Sequence, residues 1–476
     1  MHNRRHWLWN TGTGIGGLAL SSLLQADRRR AHAGSTERPQ HSDFMTGQIQ
    51  AQRVIEIFCP GGLSHVDTWD YKPQLIESDG KEFDPELGKQ TFAGVAGKLA
   101  KSFWTFRQHG EAGRWMSDLF PNLAKHVDDL AFIHSMQSKS ALHGPAMFMM
   151  NSGFPRPGFP AMGAWISYGL GSENENLPTY VVLPDPRGLP PGGVLNWGAG
   201  FLPAMHQGTV IEVASQGPPI RDLYPADQRP LPLEEPSRAL LRLLNERHRA
   251  ERPDATMLDA RIAAFEMAAR LQLSAPDAIS WNQESAATQG RYAVEDPDAG
   301  PFGRQCLLAR RLVERGVRFV QIFCGAENTS KLKVRPNWDS HEDIVRDHGY
   351  WGRVLDIGAS ALLADLKERG LLDSTLVICT TEFGRQPFMQ GQQKGRDHNP
   401  GAFTAWMAGG GIRGGTAHGE SDPVGFQAVE PTYCYDLHAT ALHLLGIDHE
   451  KLTFYHNGIQ RRLTDVHGHV LHSILK

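Results

Sequence analysis

Four short segments carry side chains whose types and spacing suit metal chemistry. Gly61-Gly62-Leu63-Ser64-His65-Val66-Asp67-Thr68-Trp69-Asp70 follows one apolar run, and Trp338-Asp339-Ser340-His341-Glu342-Asp343 follows another beyond a basic loop. Thr380-Thr381-Glu382-Phe383-Gly384-Arg385 continues a third run directly, and Arg396-Asp397-His398-Asn399-Pro400 leads into a fourth. Mixed sets of imidazole and carboxylate suit zinc, manganese or iron, whereas an all-oxygen set suits calcium or magnesium. A single Asp-x-His in a loop is more often a cap or a surface hydrogen bond. Four such segments, three of them tied directly to consecutive strands, point instead to one shared site.

The elements that must position them are legible from periodicity. Arg53–Cys59, Leu130–His134, Tyr180–Leu183, Val317–Phe323, Ser374–Cys379 and Phe403–Met407 are short apolar runs of strand type. Helical spacing covers 303–315, 354–369 and 435–445, and Gly316 and Gly370 follow the first two as left-handed caps. Helices alternating with apolar strands mean an α/β fold with a mainly parallel central sheet flanked by helices. In such sheets the chemistry gathers in loops beyond the carboxyl ends of the strands. Residues 237–273 lack glycine-punctuated strands and read as a helical insertion, with Leu240, Leu241, Leu243 and Leu244 opening its apolar pattern.

The chain begins with Arg4-Arg5 ahead of Trp7-Leu8, a Gly/Ala/Leu-rich stretch from Thr11 to Leu24, and Ala31-His32-Ala33. That is the order of an export signal, and the paired arginines resemble a twin-arginine signal. The expectation is an exported protein, periplasmic or extracellular, with residues 1–33 as signal, 34–50 as a flexible linker and 51–476 as the folded domain. Arg28-Arg29-Arg30 sits where basic residues hinder cleavage, so an uncleaved membrane anchor is the alternative. Removing residues 1–33, with their five Arg and one Asp, takes the formal charge from −4 to −8. That charge argues against nucleic acid as a partner. The five cysteines are scattered singly, three of them inside strand-like runs, and read as small core residues rather than a disulfide or zinc framework.

The order of these segments resembles the DUF1501 family, common in planctomycete-type bacteria and placed in the alkaline phosphatase/sulfatase superfamily. The resemblance runs from about Arg53 to the C-terminus. Its carriers are residues 61–70, His143-Gly-Pro-Ala-Met-Phe-Met-Met-Asn-Ser-Gly153, Thr381–Arg385, Arg396–Pro400, Ala408–Gly415, Asp436–Gly446 and Leu463–Gly468. It implies a sulfatase-like α/β domain and a divalent metal ion, with zinc, manganese and calcium all open. The residues matching superfamily ligand positions are Asp67 with His65 beside it, Asp339 and His341, Glu382, and His398. Phe383 stands where the superfamily has a histidine, and no Cys-x-Pro-Ser-Arg sequence occurs, so the modified-cysteine nucleophile of sulfatases is missing. The segment resembling the nucleophile turn is Ser138-Lys139-Ser140-Ala141-Leu142-His143, which leaves His143 or Ser140 for that role. Arg385 is the expected holder of an anion, while Lys139 reads better as a solvated charge. Trp69, Trp338, Trp351 and Trp406 could form a sugar-stacking rim, although Trp406 lies inside a strand and suits the core.

Three functions follow from this reading. One is an exported metal-dependent hydrolase of phosphate or sulfate esters, with an anionic or sulfated/phosphorylated carbohydrate as substrate. Another is a non-catalytic binding or assembly protein on the same fold. A metal-dependent enzyme that uses water directly is a third, weaker option. An activatable side chain within a few ångströms of the ligand cluster would favour catalysis.

Overall fold

A computed structural model of the chain describes residues 41–83, 96–213, 240–241, 243–248, 251, 278–327 and 332–476. The export segment 1–33 lies outside the described residues. So does most of the segment 237–273, of which residues 243–248 are in helix.

The centre is an eight-stranded sheet. Its strands are β1 (Arg53–Phe58), β2 (Leu130–Met136), β3 (Tyr180–Leu183), β4 (Thr209–Val210), β5 (Phe319–Phe323), β6 (Thr375–Thr380), β7 (Phe403–Ala408) and β8 (Thr416–His418). Their spatial order is β8-β2-β7-β6-β1-β5-β3-β4. β1 pairs in parallel with β5 and β6, β3 with β5 and β4, and β8 with β2. Only β7 runs against its neighbours, β6 and β2. The fold is therefore mixed α/β with a mainly parallel sheet, as the alternation of elements predicts.

Among the described residues, five helices of nine or more residues cover the sheet: α1 (His143–Ser152), α2 (Met162–Leu170), α3 (Gly300–Glu314), α4 (Ile344–Glu368) and α5 (Cys434–Leu444). The pleat of β1 sends Ile55 and Ile57 into a core shared with α3 and α4, and Val54 and Phe58 into one shared with α1, α2 and α5. Strands buried on both faces read as continuous apolar runs, which is why the sequence marks them clearly. α4 starts ten residues before the position its apolar spacing predicts. Asp343 caps it by accepting the Arg346 N–H at 3.1 Å. The early turns carry Gly349 and Gly352, poor helix formers that hide this start in the sequence.

All five cysteines are buried and free, in keeping with their reading as core. Trp69, Trp338, Trp351 and Trp406 are buried as well, so they pack the core and form no sugar-stacking rim. The expected linker 34–50 is described from residue 41. There it lies against the end of α5: Phe44 is buried, and Gln50 and Ala51 N–H groups donate to the Leu444 carbonyl. Among the described residues, no helix is long and apolar enough to cross a membrane.

Candidate metal site at the sheet edge

β1, β5 and β6 end at one edge of the sheet, and β7, running the other way, begins there. The four loops at this edge are tied together by their own polar groups. Thr381 Oγ1 donates to the Cys59 carbonyl at 2.8 Å and accepts the Leu63 N–H at 3.1 Å, joining the loops after β1 and β6. Trp338 Nε1 donates to the Cys324 carbonyl at 3.1 Å, and the Trp338 N–H donates to the Pro60 carbonyl at 3.0 Å. Asn337 Oδ1 then accepts the Asp339 N–H at 2.9 Å, an Asx-type turn that fixes the Asp339 carboxylate. Two glycines permit the close approach. Gly61 has φ +108°, and a Cβ there would meet the Asp339 nitrogen at 2.5 Å. A Cβ on Gly395 would meet the His341 carbonyl carbon at 2.0 Å.

Three imidazoles converge on one carboxylate oxygen. From Asp339 Oδ1, His341 Nε2 lies at 2.8 Å, His398 Nε2 at 3.1 Å and His143 Nε2 at 3.3 Å. His341 Nε2 and His398 Nε2 are 3.0 Å apart. Each ring is anchored at its other nitrogen. His143 Nδ1 is 2.6 Å from Glu382 Oε1, His341 Nδ1 is 2.5 Å from Gln390 Oε1, and His398 Nδ1 is 2.7 Å from the Ala141 carbonyl oxygen. These partners are acceptors, so Nδ1 carries a proton in each ring and Nε2 is the nitrogen turned to the cluster. This is the outer-sphere pattern of histidine metal ligands. Two ligand groups can be drawn from it, His143 with Asp339 and His398, and His341 with Asp397 and His398.

The donor set fits a divalent transition metal. Nitrogen and oxygen ligands at about 2.0–2.2 Å around a tetrahedral ion lie about 3.3–3.5 Å from one another. The 2.8–3.3 Å separations around Asp339 need only a small expansion to reach that. His143 Nε2 is buried without a hydrogen-bond partner, as a ligand atom aimed into such a site would be. Nitrogens this close to one another and to a carboxylate need positive charge among them. Arg385 supplies one charge, its guanidinium donating to Asp339 Oδ1 at 2.6 Å. Burial opposes ionisation of Asp339, but Arg385 and the three histidines outweigh it and hold the carboxyl far below its ordinary range. Burial also opposes protonation of His143, yet Asp339 and Glu382 raise its pKa to about 9. A metal ion would take the place of that proton, since ligation requires the neutral ring. His398, more deeply desolvated and beside Arg385, is pushed down to about 3 and is neutral.

The DUF1501 family, described as proteins of unknown function, matches residues 51–475. The chain belongs to the DUF1501 family. No curated protein matches it. Among solved structures it is similar to the lipoteichoic acid synthase LtaP from Listeria monocytogenes, at 7% identity over 90% of this chain and 79% of that one, with a TM-score of 0.38. It is also similar to the sulfatase PsFucS1 from Pseudoalteromonas sp., at 14% identity over 87% and 71% of the two chains, TM-score 0.36. The alkaline phosphatase from the Antarctic bacterium TAB5 shows 10% identity over 83% of this chain and 98% of that one, TM-score 0.32.

Of the site residues expected from the sequence, Asp339, His341, His398 and His143 meet in the cluster. Glu382, expected as a ligand, stands behind it: its carboxylate accepts from His143 Nδ1 at 2.6 Å and from the Gly61 N–H at 2.8 Å. Arg385, expected as an anion holder, is buried with its donors committed to the Gly61, Gly62 and Arg396 carbonyls and to Asp339. It is a strut. Asp67 and His65 are not brought to the cluster. Asp67 pairs with Arg396 at 2.8 Å and accepts the Ser64 hydroxyl at 2.6 Å, both side chains of the ion pair being fully buried. His65 Nε2 holds the Gly425 carbonyl at 2.8 Å, and burial lowers its pKa. Ser140 Oγ accepts the Leu142 N–H at 3.1 Å and belongs to its own turn. Lys139 is exposed and lies over the Tyr433 and Tyr435 rings at 5.2 and 4.8 Å. Sequence reasoning missed Asp397 and Gln390. Asp397 adjoins His398 and was open to discovery in the Arg-Asp-His-Asn segment, whereas nothing in the sequence marks Gln390.

Proposed function

We propose that this protein is an exported, metal-dependent hydrolase of phosphate or sulfate esters. The observation that carries the reading is the convergence of three Nδ1-anchored histidines on Asp339 Oδ1. The resemblance of the motifs to the alkaline phosphatase/sulfatase superfamily supports the reaction class, and an anionic carbohydrate ester suits an exported enzyme. His143, His341, His398 and Asp339 would supply the donors that hold the metal, with Asp397 within reach. Three imidazole nitrogens favour zinc, manganese or another transition ion over calcium, which takes oxygen ligands. Bound there, the ion would polarise an ester oxygen and neutralise developing charge.

The chain's own residues do the rest. Glu382 fixes the tautomer and aim of His143, Gln390 does the same for His341, and the Ala141 carbonyl for His398. Arg385 and the glycine turn hold Asp339 against them. Phe383, with ring centroids 4.9 Å from His143 and 4.6 Å from His398, walls one side and excludes water there.

The binding-protein reading keeps one supporting observation: four of the five donors of Arg385, the expected anion clamp, are held by three carbonyls and Asp339, and the fifth faces His341 Nε2 at 3.5 Å. The presence of His143 in the cluster favours catalysis over it. The test is elemental analysis of the folded protein beside Asp339→Ala and His398→Ala, followed by a screen of aryl phosphates, aryl sulfates and sulfated polysaccharides. Stoichiometric metal that both variants lose, with turnover by wild type, is the expected result. Metal without turnover of any ester would leave the binding protein, and no metal after reloading would sink the hydrolase.

A further inference from the structure

Three segments, 154–161, 193–208 and 452–463, meet at the surface beside α2. They hold Arg156, Arg461 and Arg462 and not one Asp or Glu, in a chain of formal charge −4. Phe201 joins them. Its ring meets Phe159 edge-on at 6.0 Å and stacks with Phe454 at 6.0 Å and His456 at 4.8 Å. A Cβ on Gly200 would lie 2.5 Å from the Phe159 carbonyl carbon, so the first two segments touch there. Trp165 and Tyr168 of α2 support the rings, 6.0 Å from Phe201 and 5.7 Å from Phe454. The third segment is a hairpin of Phe454–His456 with Ile459–Arg461. Its cross-strand pairs place Ile459 and Arg461 on the same face as Phe454 and His456, the face turned to Phe201.

Four aliphatic side chains stand out on these segments: Val194, Leu195, Met205 and Ile459 are 48–54% exposed. Arg156 lies over the Phe159 ring at 5.3 Å. Among the described residues, neither Arg156 nor Arg461 has a carboxylate partner, and Arg461 Nε is buried without a hydrogen-bond partner. Arg462 is paired, with Glu450 at 3.5 Å. We propose that this face docks on a membrane surface containing anionic lipid. Exposed aliphatic tips suit the acyl boundary, and unpaired arginines suit lipid phosphate oxygens. The net negative charge of the chain does not forbid this, because salt screens charges more than about 8–10 Å away. A sugar chain needs open ring faces, whereas here Phe154 stacks on Phe159 at 3.7 Å and His456 on Phe201. No residue of the metal cluster belongs to this face, so docking needs neither metal nor turnover and stands apart from the hydrolase reading.

The test is co-sedimentation of the full chain with vesicles of phosphatidylcholine, with and without phosphatidylglycerol, in the presence of a chelator. The N-terminal segment is common to wild type and variants, so differences between them report this face alone. Wild type should bind the phosphatidylglycerol vesicles and lose affinity as salt rises. Arg156→Gln and Arg461→Gln should each weaken binding about fivefold, and Arg461→Lys should keep most of it. Met205→Ser with Ile459→Ser should weaken the binding that survives at high salt. Urea midpoints equal to wild type would show that these variants fold, and Asp339→Ala should bind vesicles as wild type does. Vesicle binding that none of the face variants weakens would overturn the proposal, as would no preference for phosphatidylglycerol. Retention by dextran sulfate without vesicle binding would overturn it in favour of an anionic polysaccharide.

Discussion

Glu56 is a carboxyl group in the middle of the central strand, and its burial makes a quantitative prediction about pH. It lies on the α1 side of β1, where Gln321 Nε2 donates to its Oε2 at 2.9 Å. Gln321 in turn contacts Asn151 of α1 and accepts the Tyr180 hydroxyl at 2.7 Å. Desolvation raises the Glu56 pKa from 4.5 to about 8, against a small opposing effect of the Gln321 hydrogen bond. Between those two values the native state keeps a proton that the unfolded chain releases. Stability therefore falls as pH rises through that window and levels off above it. Each pH unit is worth about 1.4 kcal/mol, so at pH 7.5 the native state gives up roughly 4 kcal/mol that a neutral isostere would retain. Glu56→Gln keeps the shape and an acceptor for Gln321. Urea unfolding of both proteins from pH 4.5 to 9, followed by tryptophan fluorescence, isolates this group because every other titration is common to the two. The variant should match wild type near pH 4.5 and gain progressively on it up to about pH 8. Parallel curves at all pH values, or a variant less stable at pH 8, would refute a neutral buried Glu56.

Asp67→Asn should destabilise the fold by about 3–5 kcal/mol, because it leaves the buried Arg396 charge unpaired, while the folded fraction keeps its full metal content by elemental analysis. Gln390→Ala removes the acceptor from His341 Nδ1 and should weaken metal binding about 10–100-fold in chelator competition, with no loss of helix signal. Gly61→Ala places a Cβ against the Asp339 nitrogen at a left-handed φ; it should cost about 1–3 kcal/mol of stability and lower metal affinity together, read by urea unfolding and chelator competition.

The strands were legible because both faces of the sheet are buried: β1, β5 and β6 read as unbroken apolar runs. The candidate ligands Asp339, His341 and His398 were legible because they stand outside the central sheet's strands, in segments whose residue types have no apolar packing role. What the sequence could not separate is a ligand from a strut. Glu382, Asp67 and Arg385 have the same chemistry whether they face the cluster or lie behind it, and only the positions of Arg396, His143 and Gly61 decide. Glu382 is one residue from Thr381, whose hydroxyl turns back toward β1, and this local turn sets the carboxylate under His143 rather than beside Asp339. Gln390 was invisible for another reason. It reaches His341 from a short strand, Phe388–Gln390, whose partner Ala96–Leu99 is distant in sequence and weakly apolar.

The single antiparallel strand explains how the site is assembled. In a wholly parallel sheet, a loop leading into a strand lies at the opposite edge from loops leaving the others. Because β7 is reversed, the segment entering it, Arg396–Pro400, arrives at the edge where β1, β5 and β6 end. His398 thus joins Asp339 and His341 at the cost of two guanidiniums buried among carbonyls. Arg385 binds the Gly61, Gly62 and Arg396 carbonyls, and Arg396 binds the Gln386, Ala100 and Lys101 carbonyls as well as Asp67. Each guanidinium has its planar fork filled by the loops it joins. Both side chains are fully buried, so neither presents its guanidinium at the surface of this edge.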